Sequence, residues 1–410
     1  MDFLPHQVAK GKEALAIIRQ KGIVYIQGLP RSGKTATALY VADNTKASHW
    51  LILCPKNAIS GWEKFLNGSL PLNTKFTVTN YEQVYKRVAG KYTLRLNKDD
   101  YNGVILDESH NFGVLGKPSL KHKMTRLLCY EYPLILLSGS ALVESYNGIY
   151  HQCYISKYSP FRNFKNFYDY HRYYGESYYI RIGGRDVPKY DKAKEDLITS
   201  IVDTFTVYMT QQDAGISTEV QAVDEVHYVS LSANTKKIYN TVQKDNIITL
   251  LLGDDCVELI CDSVMKLRIS LHMIESGVIK IDGKYYILGN REKIDYILKR
   301  FGDNEDVGIM SHFVGERHLL NKIFKRAKIY SSTSHAEGVD LSHLKHFIII
   351  SSGYSGAKFI QRRERCVNIF SKTASTVHHL IVKGAISEQV YKAVSNKLDF
   401  NNRGYERNLL

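Results

Sequence analysis

Four residues near the start of the chain share a spacing that suits phosphate chemistry. In the stretch GIVYIQGLPRSGKTATAL, from Gly22 to Leu39, Gly28, Gly33, Lys34 and Thr35 fit the pattern GxxxxGK[ST], with Pro30, Arg31 and Ser32 filling the loop. Glycines there let backbone N–H groups close around phosphate oxygens, and the helix that follows turns its positive end toward them. Lys34 reaches the outer phosphates of a nucleotide, and the Thr35 hydroxyl is a ligand for Mg²⁺. A second group lies 73 residues beyond Lys34, where GVILDESH ends an apolar run in Asp107 and Glu108. An acidic pair at a strand's carboxyl end suits hydrolysis: Asp107 holds Mg²⁺ through water, and Glu108 orients and activates the attacking water. Standing alone, the pair would equally describe a solvated strand end; a phosphate loop upstream favours the chemical reading.

These residues need a rigid frame. The β-branched run Ile23 to Ile26 supplies a strand to feed the loop. Short apolar runs then alternate with helical stretches as GIVYIQ, HWLILCP, KFTVTNY, NGVILDE and YPLILLSGS. That alternation predicts a parallel sheet flanked by helices, an α/β fold. A second such pattern follows, with DVGIMSHF, KIYSSTS and HFIIISSG as buried strands and EKIDYILKRF and ERHLLNKIFKRA as amphipathic helices. The region from about Ser232 to Gly277 reads as largely helical. With 410 residues, two domains are expected, 1–225 and 226–410, divided near Val223 to Ser232, with helical inserts at about 146–200 and 232–300.

Bulk properties narrow the class. Lys and Arg outnumber Asp and Glu by 55 to 41, a net charge of +14 that favours a polyanionic partner. The six cysteines form no CxxC pair, so neither a cysteine-built zinc site nor a disulfide scaffold is indicated, and a reduced cytosolic setting is expected. The N-terminus lacks the apolar core of a signal peptide, and no run of 18 apolar residues offers a membrane span. The expectation is a soluble intracellular protein without a membrane partner.

From Tyr146 to Tyr190 the chain is crowded with Tyr, Phe, Lys and Arg, and Phe161, Phe164 and Phe167 or Tyr168 recur at helical spacing. Two readings stay open. One is an aromatic helix face packed on the domain; the other places these rings, with Arg162, Lys165, Arg172, Arg181 and Arg185, against nucleic acid.

Further motifs follow in order: FLPHQ with Gln7 ahead of the loop, LLSGSAL with Ser138, Gly139 and Ser140 after a buried strand, then HAEGVDLS and QRRERCVN. With this series the chain resembles the superfamily 2 helicases, most closely the Swi/Snf-type DNA translocases in the compact form encoded by some bacteriophages. The resemblance covers nearly the whole chain, and it implies two RecA-like parallel-sheet lobes in tandem with helical insertions.

By that likeness Gln7 reads adenine, Lys34 and Thr35 form the first motif, and Asp107 and Glu108 form the DExx motif. Ser138, Gly139 and Ser140 resemble the third motif, which couples nucleotide state to the nucleic-acid track. LILCPKNAISGWEKF resembles the stretch whose Pro55 and Lys56 sit near the DNA backbone, and VTNYEQV, with Asn80 and Tyr81, is similar to the next track-binding segment. FRNFKNFYDYH and VMKLRISLHMIESG look like the family's inserted helices. Ser311, His312 and Ser332 take track-binding places in the second half. Gly338 and Asp340 align with the fifth motif on the nucleotide side. Gln361 and Arg365 align with the sixth, where an arginine stabilises the charge that spreads over the γ-phosphoryl oxygens. Family members usually carry another arginine three residues further on; here Asn368 stands there, and either Arg362 or Arg363 substitutes or the alignment shifts by one. The implied activity is an ATP- and Mg²⁺-dependent helicase or translocase on duplex, forked or branched DNA, sequence-independent, in replication, recombination or repair. An RNA-directed helicase and a nucleic-acid-binding module with decayed hydrolysis are the alternatives, with a small-molecule kinase behind them.

Overall fold

The structure is a computed structural model that describes residues 2–28, 32–68, 70–139, 145–182, 185–210, 212–214, 223–253, 255–332, 341, 344–356, 359, 376–396 and 400. The chain forms two compact units, Met1–Ser217 and Thr218–Leu410.

The first unit opens with α1 (Pro5–Lys21), β1 (Ile23–Gly28), α2 (Lys34–Asp43), β2 (His49–Cys54), α3 (Ile59–Leu66) and β3 (Lys75–Asn80). A hairpin of β4 (Tyr85–Val88) and β5 (Lys91–Leu94) leads to β6 (Gly103–Leu106), α4 (Leu120–Cys129) and β7 (Leu134–Ser138). Then come α5 (Ile149–Cys153), α6 (Phe167–Tyr174), the hairpin β8 (Gly175–Ile182) and β9 (Arg185–Ala193), α7 (Glu195–Val202) and β10 (Thr206–Met209). Six strands form one sheet in the order β10-β1-β7-β6-β2-β3, every pairing parallel.

A parallel sheet carries helices on both faces, so its strands are apolar throughout rather than alternating with polar residues. The side chains nevertheless divide by parity. Tyr25, Leu51, Leu53, Leu106, Leu134 and Leu136 enter one core, while Ile26, Ile52, Ile105, Ile135 and Leu137 enter the other. The five expected strands of this half are β1, β2, β3, β6 and β7. The sixth, β10, was not expected, because four residues of TVYM carry little pattern of their own.

The aromatic stretch resolves largely into packing. Phe161, Phe167, Tyr170 and Tyr150 are buried together in the first core, with rings meeting edge-on or tilted. The helix expected across Phe161 to Phe167 starts only at Phe167, where Asn166 caps it by accepting from the Asp169 N–H. Arg162, Lys165, Arg172, Tyr173 and Tyr179 remain exposed.

The second unit contains β11 (Val223–Val229), α8 (Ala233–Asp245), the hairpin β12 (Ile247–Leu252) and β13 (Asp255–Ile260), α9 (Val264–Ile274) and the hairpin β14 (Val278–Ile281) and β15 (Lys284–Ile287). After α10 (Glu292–Arg300) come β16 (Val307–Ser311), α11 (Val314–Ile323), β17 (Lys328–Ser331), β18 (His346–Ile349), β19 (Thr376–Val382) and the helix Ile386–Ser395. Its sheet is again wholly parallel, in the order β11-β19-β18-β16-β17. The fold is therefore α/β, two parallel-sheet units that follow one another along the chain, each carrying inserted helices and hairpins. The region expected to be largely helical, Ser232 to Gly277, instead holds the hairpin β12–β13 between α8 and α9. Gly253, in the left-handed region at φ 66°, makes the reversal that a helical reading of this apolar stretch does not foresee.

One buried ion pair ties the second unit together. Lys293 Nζ on α10 donates to Glu275 Oε2 at 3.4 Å and to the Ile350 carbonyl at 3.2 Å, and the Ser387 N–H donates to Glu275 Oε1 at 3.2 Å. The two side chains are 1% and 0% exposed. Breaking such a pair leaves a charge stranded, whereas replacing both partners with apolar groups does not. Lys293→Met is expected to destabilise the second unit by about 3–5 kcal/mol in urea unfolding. The double replacement Lys293→Met, Glu275→Leu is expected to recover most of that loss.

Candidate active site

The residues expected to hold phosphate lie between a strand end and a helix start. β1 ends at Gly28, and α2 begins at Lys34. Gly33 has φ 93°, a conformation that L side chains resist, and a Cβ there would lie 2.9 Å from His6 Nε2 and 3.1 Å from Gln7 Nε2. A Cβ on Gly28 would lie 2.5 Å from the Met209 carbonyl oxygen and 2.6 Å from Ser32 Oγ. Both glycines are thus fixed by close approach, one to α1 and one to the end of β10. Lys34 Nζ donates to the Gly28 carbonyl at 2.5 Å, spanning the mouth of the loop. Ser32 is buried, and its hydroxyl has no hydrogen-bond partner among the described residues. Thr35 is half-buried in the first turn of α2. Pro30 and Arg31 lie outside the described residues.

Gln7 is buried beside this loop, and its Oε1 accepts from the Leu4 N–H at 3.0 Å, closing the first turn of α1. Its amide nitrogen faces Gly33, with the His6 imidazole as neighbour.

At the carboxyl end of β6, Asp107 Oδ2 accepts from Trp62 Nε1 at 2.9 Å and Oδ1 accepts from the Glu108 N–H at 3.0 Å. The Tyr81 hydroxyl donates to the Asp107 backbone carbonyl. Burial, and then the neighbouring Glu108 charge, push the Asp107 carboxyl above its ordinary range, while the Trp62 hydrogen bond and the Lys34 ammonium pull back against them. Lys34 and Asp107 therefore act within one electrostatic field at one edge of the sheet. The donor set fits a hard divalent cation: a hydroxyl at Thr35 and a carboxylate at Asp107 whose negative charge the surrounding protein leaves incompletely balanced. Bound there with a nucleotide, Mg²⁺ would supply neutralisation of phosphate charge.

Glu108 departs from ordinary backbone, with φ 50° and ψ 49°. A left-handed glutamate costs on the order of 1–3 kcal/mol and persists only when its surroundings impose it. The Asn111 N–H and the Asn111 side-chain amide both donate to the Glu108 carbonyl at 3.0 Å, locking the turn Ser109–Phe112 that follows. Its carboxylate meets His110 Nδ1 at 3.3 Å, and the same nitrogen lies 2.9 Å from Ser138 Oγ at the end of β7. Glu108, His110 and Ser138 therefore form one connected path. Beneath it, Ser109 Oγ donates within 3.1 Å of the Tyr25 hydroxyl and of Gln152 Oε1, and Tyr25 donates to Gln152 at 3.0 Å. Burial drives the Tyr25 phenol far above its ordinary pKa, so it stays protonated as a donor. The sequence reading does not single out His110, although it stands within the same GVILDESH; Trp62, Tyr25, Gln152 and His6 carry no spacing that would link them to the acids.

The residues assigned to a nucleic-acid track are disposed unequally. Pro55 starts the short turn Lys56–Ala58 at the carboxyl end of β2, and Lys56 is exposed. Asn80 and Tyr81 are buried: the Asn80 side chain accepts from the Glu82 and Gln83 N–H groups at 3.1 Å, and Tyr81 supports Asp107 as above. Lys121 Nζ sits 5.3 Å from the Tyr81 ring centroid and 5.1 Å from that of Phe112.

In the second unit Ser311, His312 and Ser332 converge at the carboxyl ends of β16 and β17. His312 Nδ1 lies 2.7 Å from Ser332 Oγ, and the His312 N–H donates to Ser351 Oγ at 2.8 Å. Ser311 and Ser351 both donate to the buried carboxylate of Glu316 in the first turn of α11. Gly338, Asp340, Gln361, Arg362, Arg363, Arg365 and Asn368 lie outside the described residues, as does Ser140.

No protein-family model matches the chain, and no curated protein matches it. Among solved structures it is similar to the Sulfolobus solfataricus SWI2/SNF2 ATPase core domain, at 14% identity over 96% of this chain and 88% of that one, with a TM-score of 0.41. Among the described residues, no helix is long and apolar enough to cross a membrane, and the five described cysteines are free.

The acid pair has a consequence for stability. Because the folded pKa of Asp107 is raised, its contribution is fully present below the ordinary carboxylate pKa of about 4 and is lost as pH rises through the folded value. Asp107→Asn is expected to unfold at higher denaturant than the parent at pH 7.5, by on the order of 1 kcal/mol or more, with the gap closing toward pH 4. Urea unfolding across that range, with Mg²⁺ and nucleotide absent, measures it.

Proposed function

We propose that this chain is an ATP-dependent, nucleic-acid-stimulated motor that translocates on duplex or branched DNA, in fork or junction remodelling, branch migration, replication, recombination or repair. The observation that supports it best is the common edge at which Lys34, Thr35, Asp107 and Glu108 meet, with Glu108 joined through His110 to Ser138. A phosphate loop alone describes any nucleotide-binding protein. An acid that activates water and is wired to the next strand end describes one whose hydrolysis is sensed elsewhere.

In this reading Lys34 and the N–H groups at the start of α2 hold the β and γ phosphates, Gln7 and His6 border the base side, and Thr35 and Asp107 hold the cation. Glu108 accepts the proton of the attacking water, within the turn that fixes its carboxylate. As charge on that carboxylate changes, the hydrogen bonding of His110 to Ser138 changes with it, which gives the nucleotide state a route to the end of β7. Arg365 would stabilise charge on the transferring group, and Gln361, Gly338 and Asp340 would complete the nucleotide side. Exposed Lys56 and the surplus of 14 positive charges supply a backbone grip without base reading. Alternating grip by the two units on phosphates would then convert turnover into movement. The two-unit plan separates this reading from a small-molecule kinase, which has no use for a second parallel-sheet unit.

Turnover measured across linear, forked and four-way DNA, single strands and RNA tests the reading. DNA is expected to raise the rate at least tenfold, and the stimulation should fall steeply with salt. A rate indifferent to every polynucleotide removes the motor; stimulation by RNA alone replaces DNA with RNA. Glu108→Gln is expected to lose about 10²–10⁴-fold in turnover while keeping nucleotide binding. His110→Ala is expected to keep most basal turnover and lose the polynucleotide stimulation.

A further inference from the structure

At the amino ends of the strands in the second unit, opposite the end that carries Ser311 and Ser351, a group of side chains stands outside the site described above. β11 and β19 pair in parallel with Glu225 opposite His378 and His227 opposite Leu380. The period of two puts Glu225, His227 and His378 on one face of the sheet, together with His346 of β18, and α10 covers them with Tyr296 and Arg300. His227 Nε2 lies 2.9 Å from His378 Nδ1, and Glu225 Oε2 lies 3.0 Å from His378 Nδ1 and 3.5 Å from His227 Nε2. Three ligand-type atoms therefore converge on one point.

We propose that Glu225, His227 and His378 form a binding site for a zinc-like divalent transition-metal ion, three protein ligands with one open position. Ligands about 2.0–2.1 Å from a tetrahedral ion stand about 3.3 Å apart, and the observed triangle brackets that spacing. A proton on one imidazole can join two of these atoms well; a cation joins all three.

The surroundings support the same ligand choice. The far nitrogen of each imidazole is held, His227 Nδ1 by the Tyr296 hydroxyl at 2.9 Å and His378 Nε2 by His346 Nδ1 at 3.0 Å. Such outer partners orient metal-binding imidazoles. The other Glu225 oxygen accepts from Arg300 Nη2 at 3.3 Å. The Phe301 ring packs on His378 at 4.5 Å between centroids and on His346 at 5.3 Å, closing one side against water. His227 and His378 are nearly enclosed, while the Glu225 side chain is 44% exposed and leaves a way in. Cysteine spacing gives no hint of such a site, because its histidines are 151 residues apart in the chain. A metal here would pin the edge strand β11 to β19, and so the start of the second unit to its last described strand. An ion that binds only the folded state raises its stability by mass action.

The experiment uses the full, untagged chain, stripped with a chelator and dialysed into excess Mg²⁺ so that the nucleotide site is satisfied. Zn²⁺ is titrated against a chromophoric chelator, and Co²⁺ is added separately to read its visible absorption. One Zn²⁺ per chain, a melting temperature raised by several degrees, and the intense bands of four-coordinate Co²⁺ are expected. Glu225→Gln and His378→Gln are each expected to weaken Zn²⁺ at least tenfold and to remove the Co²⁺ bands, and Tyr296→Phe to weaken Zn²⁺ by about tenfold. Glu225, half-exposed, can be replaced without disturbing the core, so Glu225→Gln decides the matter even if His378→Gln does not fold. Zn²⁺ that fails to compete with the chelator, or that binds Glu225→Gln as it binds the parent, overturns the proposal.

Discussion

Two carboxylates that follow one another at the end of a buried strand repel, and each loses water by being there. Much of the first unit is arranged around that cost. Trp62 comes from α3, the Glu108 N–H from the turn itself, and Lys34 from the start of α2; each answers the charge on Asp107 from a different direction. None of these groups is sequentially close to the others. The parallel order β1-β7-β6-β2 is what brings them together, because in a parallel sheet the carboxyl ends of all strands, and the loops they feed, share one edge.

The same constraint explains the backbone at Glu108. Continuing β6 in extended conformation would carry the second acid on along the strand direction. Turning into the left-handed region instead swings the chain into the turn Ser109–Phe112, which brings His110 back toward Ser138 and leaves Ser109 pointing into the protein. The strain is local, and the network of Tyr25, Ser109 and Gln152 holds it in place from below. A buried network in which each member has a partner rigidifies its surroundings, whereas an apolar filling of the same volume would leave the turn free to relax.

The fold was legible in the sequence wherever strands are buried on both faces, since LILC, GVIL and LILL have no polar residue to confuse with a surface. It was not legible at β11 and β19, where VDEVHYV and TVHHLIV are punctuated by acids and histidines, nor at β12–β13, where an apolar run folds back on itself. The glycine-rich stretch before Lys34 and the acid pair could be placed at strand ends because both motifs are defined by fixed neighbours along the chain. Trp62, Tyr25 and Gln152 could not, because their partnership with Asp107 and Ser109 exists only after the strands have been placed in order. Asn80 and Tyr81 likewise have partners that only the fold supplies: the Asn80 side chain caps a turn, and the Tyr81 hydroxyl braces the Asp107 carbonyl.

Two of the strands that resisted reading, β11 and β19, also carry the histidine cluster, and the two facts have one cause. A strand in the middle of a doubly covered sheet gains most from apolar side chains, about 1.5–3 kcal/mol for each one fully buried. Polar residues at such positions persist only if they are paired. In β19 the pairing divides by parity: His378 turns to Glu225, His227 and His346 on one face, while His379 Nε2 meets Asp224 Oδ1 at 2.9 Å on the other. Each face thus has an acid from β11 answering an imidazole from β19. On the His379 face the hydrogen bond to Asp224 and the rings of Phe359 and Tyr391 account for the arrangement. On the His378 face the contact between Glu225 and His378 leaves the approach of His227 Nε2 to the same nitrogen unexplained, and the proposed cation would supply what hydrogen bonds in a line cannot, a centre toward which all three ligand atoms point.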